Sequence, residues 1–285
     1  MSLIENRIVD GKIIVYDKVQ VAIQRLRSFE PPDGYWLAFS GGKDSVVIKA
    51  LADMAGVKYE AHYSLTTVDP PELVYFIRTF SDVIIDKPKE TMWQLIVRKR
   101  MPPTRIQRYC CEALKESGGV GRVVVTGIRW AESVRRKANR HLVDIGGKNG
   151  IVHNDDNDDS RRAVEQCYRT QKTLLNPIID WSNDDVWEFI HQYNLRYCSL
   201  YDEGYKRLGC IGCPIATNQK EMFERWPKYK QLYIHAFDRM LAKRTKDGLK
   251  TRAFHSGQEC FDWWMNDEQD SDETMDGQID MFDDS

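Results

Sequence analysis

Five residues, Tyr35-Trp36-Leu37-Ala38-Phe39, run straight into Ser40-Gly41-Gly42-Lys43-Asp44-Ser45. An apolar strand ending in two glycines, followed by a lysine and residues able to open a helix, leaves backbone N–H groups converging on one spot at a helix N-terminus. That spot wants an anion, so the chain should fold with a strand and a helix in series and a phosphate or sulfate at the joint. The loop is not the longer glycine-rich loop that ends in Gly-Lys-Ser/Thr, because the four-residue arch before the Gly-Lys pair is missing. Lys43 neutralises a phosphate and Ser40 and Ser45 offer hydroxyl hydrogen bonds. Asp44 either orients a magnesium ion or caps the helix.

The surrounding pattern predicts what this joint belongs to. Apolar residues at helical spacing over 19–29 end at Pro31, Pro32 and Gly34. A helix follows over 45–54, then a strand at 57–64, a helix over 73–80 opened by Pro70 and Pro71, and a strand at 83–85. Residues 92–97 read as helix until Pro102 and Pro103, residues 110–116 as a short helix, and Val123-Val124-Val125 as the core of a strand at 122–126. Strands alternating with helices argue for an α/β fold, a parallel sheet flanked by helices, with ligands gathered beyond the C-terminal strand ends. Residues 146–160, rich in glycine and aspartate, read as a surface loop with a divalent cation as a secondary option. Ser182 or Asn183 caps a helix running to about residue 193. The domain boundaries predicted are an extension with an amphipathic helix at 1–34, an anion-binding domain carrying the cysteine pairs at 35–215, a helical region at 216–265 and an acidic disordered tail at 266–285.

Charge is segregated along the chain. Nine of the 43 acidic residues lie within 267–284, where there is no Lys or Arg, which leaves 34 acids against 41 bases elsewhere. An excess of about seven positive charges suits polyanionic ligands, nucleic acid among them. No run reaches the roughly 18 apolar residues of a membrane span, and the early Glu5, Arg7 and Asp10 argue against a signal peptide. The expected setting is cytoplasmic and reducing, with the seven cysteines free, catalytic or metal-bound rather than paired.

Two further groups carry chemistry. Cys110-Cys111 and Cys210-Ile211-Gly212-Cys213 form two close pairs of thiols that suit zinc or an iron–sulfur cluster. Neighbouring side chains diverge, which is awkward for one zinc ion, so the pattern leans to [4Fe-4S]. At the end of the 122–126 strand stands Gly127-Ile128-Arg129-Trp130-Ala131-Glu132-Ser133-Val134-Arg135-Arg136. Its arginines offer planar forks to phosphate or sulfate, and Glu132 is placed to hold one of them.

Ser40-Gly41-Gly42-Lys43-Asp44-Ser45 is similar to the signature of the PP-loop ATP pyrophosphatases, and the rest resembles the phosphoadenosine phosphosulfate reductase family within them. The resemblance spans 35–214 and includes Thr66-Thr67, Cys110-Cys111 with Lys115, the Gly127 segment, Trp181 with Asp184-Asp185-Val186-Trp187, Leu200-Tyr201-Asp202-Glu203-Gly204-Tyr205, and Cys210 to Pro214. It implies a nucleotide alpha-hydrolase-like fold, an adenine nucleotide (ATP or a sulfonucleotide) with Mg2+, and a [4Fe-4S] cluster on Cys110, Cys111, Cys210 and Cys213. The nucleotide site it implies comprises Ser40, Gly41, Gly42, Lys43, Asp44, Ser45, Thr66, Gly127, Arg129, Glu132 and Ser133. Lys43, Asp44, Arg129, Arg136 and Cys260 would do the chemistry.

The family's reductases attack the sulfonyl sulfur with a cysteine from a Glu-Cys-Gly-x-His segment and are reset by thioredoxin. Here Glu259-Cys260 is followed by Phe261-Asp262-Trp263, without the glycine or the histidine. That departure tilts the reading toward relatives similar to the sulfur-transfer proteins of DNA phosphorothioation. These would adenylate an acceptor and draw sulfur from a donor such as a cysteine desulfurase. A sulfonucleotide reductase and a non-catalytic subunit of an adenylyltransferase complex stand as alternatives.

Overall fold

A computed structural model of the chain describes residues 3–9, 11–146, 150–249 and 254–266. Of the acidic tail expected at 266–285, residues 267–285 lie outside the described residues. In chain order the elements are β1 (Ile4–Val9), β2 (Lys12–Asp17), α1 (Lys18–Ser28), β3 (Tyr35–Ala38), α2 (Lys43–Ala55), β4 (Tyr59–Ser64), α3 (Pro71–Ile77), β5 (Val83–Asp86), α4 (Met92–Lys99) and α5 (Tyr109–Leu114). There follow β6 (Val123–Val125), α6 (Val134–Asn139), β7 (Val143–Ile145), β8 (Ile151–His153), α7 (Asp158–Cys167), β9 (Thr173–Leu175), α8 (Asn183–Gln192), α9 (Gln219–Arg225), α10 (Pro227–Lys246) and α11 (Gly257–Met265). The chain divides into two compact units. One comprises Met1–Tyr63, Pro71–Asp86 and Gly118–Leu208, the other Ser64–Pro70, Lys87–Ser117 and Gly209–Ser285.

The first unit is built on a seven-stranded sheet of order β5-β4-β3-β6-β9-β7-β8. β3 runs parallel to β4 and β6, and β6 parallel to β9, as the alternation of strands and helices predicts. β7 runs antiparallel to both β9 and β8, so the sheet is mixed at that end. Period-two alternation buries Tyr35, Leu37 and Phe39 while Trp36 and Ala38 stay half-exposed. α1 buries Val19, Ala22, Ile23 and Leu26, and α2 buries Val46, Val47, Ile48 and Leu51. Each such valine, isoleucine or leucine contributes about 1.5–3 kcal/mol when fully removed from water. Asp17 caps α1 by accepting from the amides of Val19 and Gln20. Ser182 and Asp185 form a capping box on α8, settling which residue starts that helix.

Two segments hold elements that the sequence pattern did not announce. Residues 4–17, given no element within the expected extension at 1–34, form the antiparallel hairpin β1–β2, with Ile8 opposite Ile13. Alternation in a short segment without a partner sheet does not announce itself, and this hairpin is anchored by its other face. The Arg7 guanidinium lies 3.2 Å from the centroid of the Tyr16 ring, and the Tyr16 hydroxyl donates to Asp180 at 2.9 Å. Residues 146–160, read as one loop, contain β8 and the start of α7, which Asn157 caps. In the acidic run Asp156 and Asp158 pair with Arg161 at 2.9 and 3.1 Å, and among the described residues no group of three possible ligands gathers to hold a metal ion.

The second unit is helical. α10 packs on α4 and on α11 around Phe223, Tyr233, Phe237, Phe261 and Trp264, with the Trp93 ring edge-on to Tyr233 at 4.9 Å. Among the described residues no helix is long and apolar enough to cross a membrane.

Candidate functional site

The 40–45 loop sits in the first unit, between β3 and α2. Gly41 adopts φ +72°, and a Cβ there would lie 2.6 Å from Ile77 and 2.7 Å from Leu73, so only glycine fits the turn. Gly42 caps α2 with no side-chain hydrogen bond, leaving the first-turn amides to other partners. Ser45 closes the loop by donating to the Gly42 carbonyl at 2.8 Å, and Ser40 donates to Ser45 at 3.3 Å. The Lys43 amide donates to the Tyr201 hydroxyl at 2.9 Å. Tyr201 therefore sits on one of the amides that an anion would use, a role not assigned to it from the sequence.

Around the loop the structure gathers most of the residues nominated from sequence. Lys43 Nζ lies 3.2 Å from Asp44 Oδ2, and Arg129 Nε donates to Asp44 Oδ1 at 2.6 Å. Gly127 makes this approach feasible: a Cβ there would stand 2.9 Å from the Asp44 Cβ and 3.1 Å from its backbone. Glu132 accepts from the Arg129 amide at 3.1 Å, pairs with Arg136 and lies 3.4 Å from Arg207. Ser133 caps α6 by accepting from the Arg136 amide.

Arg129 differs from its expected part as an open fork. It is 0% exposed, and two further donors reach the Trp181 carbonyl at 3.2 Å and Asn183 Oδ1 at 2.8 Å. Its geometry suits it to hold Asp44. Asp44 in turn already carries two cations and caps nothing, so its carboxylate does not fit the expected magnesium ligand.

The electrostatics favour an anion. Burial pushes the Lys43 ammonium below its ordinary range; Asp44 pulls it back up, while Arg129 and Arg207 push it further down. Burial likewise lowers Arg136, reinforced by repulsion from Arg207 and Arg140. A guanidinium keeps its charge at neutral pH, so this region concentrates positive charge that its own carboxylates do not cancel.

Thr66 falls in the second unit with the cysteines. Its amide donates to Asp69 Oδ2 at 2.8 Å, and its hydroxyl lies 3.5 Å from Cys210 Sγ. The four predicted cysteines all lie in this unit: Cys110 and Cys111 open α5, and Cys210 and Cys213 flank a turn at Gly212, φ +71°. A hydrogen bond from Cys110, with a second from Arg108 at 3.3 Å, lowers the Cys111 thiol to about 5. The same bond to Cys111, with burial, pushes Cys110 up. The charge of Cys210 raises Lys115 against the effect of burial, and Lys115 hydrogen bonds to it. Among the described residues no three His, Cys, Asp or Glu are grouped to hold a single metal ion. Four thiols in one unit, with Arg108 and Lys115 donating to two of them, have the donor chemistry of a thiolate-bound cluster with several separate corners.

Cys260 departs most from expectation. It is 0% exposed within α11, and burial, with Asp238 adding to it, pushes its thiol well above the ordinary range. A reactive cysteine needs the opposite environment. As placed, the Cys260 thiol is closed off from solvent and not activated.

Known proteins resemble this chain in sequence. Residues 34–216 match the phosphoadenosine phosphosulfate reductase domain. An uncharacterized protein of Methanocaldococcus jannaschii is 28% identical over 214 residues, covering 71% of this chain and 45% of that protein. The adenosine 5'-phosphosulfate reductase of Staphylococcus haemolyticus is 24% identical over 178 residues, 55% of this chain and 63% of the relative. The chain thus spans less than two thirds of the length of these relatives. The phosphoadenylyl-sulfate reductase of Candida auris, solved with phosphate, superposes with a TM-score of 0.47 at 17% identity, over 67% of this chain and 89% of that one. With the domain match covering more than half of its residues, this chain belongs to the phosphoadenosine phosphosulfate reductase family of the PP-loop superfamily.

Proposed function

We propose that this protein is a sulfonucleotide reductase of the adenylyl-sulfate type. The observation that carries the reading is the uncancelled positive charge around the 40–45 loop, where Arg207 and Arg129 repel both the Lys43 ammonium and the Arg136 guanidinium. A sulfonucleotide supplies the missing anions as a phosphate joined to a sulfo group. The α2 amides and Lys43 hold the phosphate, the hydroxyls of Ser40 and Ser45 orient it, and Arg136 and Arg207 face the remaining charge. When the sulfur–oxygen bond breaks, charge collects on the departing nucleotide phosphate, and these fixed donors stabilise it. Relatives named adenosine 5'-phosphosulfate reductase support the same substrate class.

Cys110, Cys111, Cys210 and Cys213 are the residues to hold a [4Fe-4S] cluster, which when bound supplies a compact redox-capable charge. The reaction also needs a thiolate, with thioredoxin as the reductant that resets it. Cys260 is the thiol nominated by its Glu-Cys sequence, and in this structure it is buried within α11.

That burial favours one second reading, in which no cysteine of α11 takes part. ATP then binds the same loop, an oxygen of an acceptor attacks the α-phosphate, and pyrophosphate leaves before sulfur arrives from a donor such as a cysteine desulfurase. Mg2+ would enter with the ATP phosphates, since Asp44 is already paired, and the basic excess would suit a nucleic-acid acceptor. Two assays on one preparation separate the readings. Sulfite release from adenylyl sulfate with thioredoxin supports the reductase. Pyrophosphate release from ATP that depends on nucleic acid and a sulfur donor, without sulfite release, supports transfer instead. Neither product leaves a nucleotide-binding subunit.

A further inference from the structure

We propose that α9, α10 and α11 form the fixed wall of the four-cysteine site, with Tyr233 and Gly212 as its positioning residues. These helices begin at Gln219, past the last residue of the family match at 216. They nevertheless grip the cysteine turn directly. The Tyr233 hydroxyl donates to the Ile211 carbonyl at 3.0 Å, inside the Cys210-Ile211-Gly212-Cys213 turn. A Cβ on Gly212 would stand 2.6 Å from Phe223 Cζ, 2.9 Å from Tyr233 Cε2 and 3.2 Å from Trp264 Cη2. Three rings from three helices therefore close on one α-carbon, and the left-handed φ of +71° excludes other residues there as well.

The same wall reaches the other pair of thiols. Trp264 Nε1 donates to the Pro103 carbonyl at 2.7 Å, bracing the segment that leads into Cys110 and Cys111. Phe223, Tyr233 and Trp264 are all buried, so the surface they present is dry and stiff. An aromatic wall of this kind does two things for thiolate ligands. It fixes the direction in which Cys210 and Cys213 point, and it keeps water and oxidants from one side of them. The helical extension is, on this account, part of the site and not an appendage. The packing also explains the burial of Cys260: α11 carries both Trp264 and Cys260, and seating Trp264 seats the thiol.

The inference rests on the cysteines being a working site, and the test separates the two claims. Wild type, Tyr233→Phe and Gly212→Ala are purified anaerobically and assayed for iron. Each iron-free form is then alkylated with iodoacetamide, and labelling of Cys210 and Cys213 is followed by peptide mass spectrometry. Tyr233→Phe keeps the ring and removes one hydrogen bond, so labelling should accelerate about fivefold through easier local opening. Gly212→Ala should accelerate it by tenfold or more on the same basis, with loss of bound iron. Leu232→Ala, at a half-exposed position of α10, should label as wild type. Wild-type labelling rates and iron content in Tyr233→Phe would overturn the proposal even if Gly212→Ala fails to fold. Iron-free wild type would overturn the cluster reading alone, because the labelling contrast would still decide the wall.

Discussion

Replacing Arg129 with Met tests whether this arginine holds the loop together. The side chain is fully buried and joins three partners: Asp44 at 2.6 Å, the Trp181 carbonyl at 3.2 Å and Asn183 at 2.8 Å. A hydrogen bond to a charged group is worth about 1.5–3 kcal/mol. Removing one partner of a buried ion pair costs about 3–5 kcal/mol, because the other charge is left uncompensated. The three bonds share one guanidinium and do not add, so Arg129→Met should lose about 3–5 kcal/mol in total. At a urea slope of about 3 kcal/mol/M the unfolding midpoint falls by about 1–1.7 M. Arg129→Lys keeps the charge but not the fork and should lose roughly half as much. Combining Arg129→Met with Asp44→Asn should recover part of the loss, since the orphaned charge is gone. A midpoint within about 0.3 M of wild type for Arg129→Met, equivalent to about 1 kcal/mol, would refute the reasoning.

Three other outcomes follow from the same geometry. Tyr201→Phe frees the Lys43 amide for an anion, so affinity for adenylyl sulfate should rise about two- to tenfold, the worth of one hydrogen bond, by calorimetry. Gly127→Ala should lower stability by about 1–3 kcal/mol in urea, because its Cβ meets the Asp44 backbone. The third concerns pH. Burial opposes the charge on Asp185, but Lys18 at 2.8 Å and Ser182 hold it below the usual carboxylate range. Its folded pKa is therefore depressed, so its contribution is fully present above about pH 4, the unfolded value, and is lost as pH falls through the folded one. Melting temperatures from pH 6 down to pH 3 should fall, and by less in Lys18→Met, whose stability is already lower at pH 6.

The parts of this architecture that were legible in the sequence are those written in local steric terms. Gly41 and Gly42 after an apolar strand place the loop because only glycine tolerates that turn, and Val123-Val124-Val125 marks a central strand by composition. The hairpin at 4–17 and the three-residue strands β7, β8 and β9 were not legible. Such short segments carry too few side chains to show a period, and the sheet alone decides their pairing. Arg129 was readable as a site residue but not as a buried brace, because its partners Trp181 and Asn183 are 52 and 54 residues away. The burial of Cys260 was not legible for a similar reason: its neighbours in sequence suggest a reactive segment, while helix packing encloses the thiol.

If the 40–45 loop is the nucleotide site, calorimetric titration of adenylyl sulfate into wild type and Lys43→Ala shows it in a single comparison. Losing one charged hydrogen-bonding group should weaken binding by about 1.5–3 kcal/mol, roughly 10- to 150-fold, with the fold retained. Equal affinity in the two proteins would contradict it.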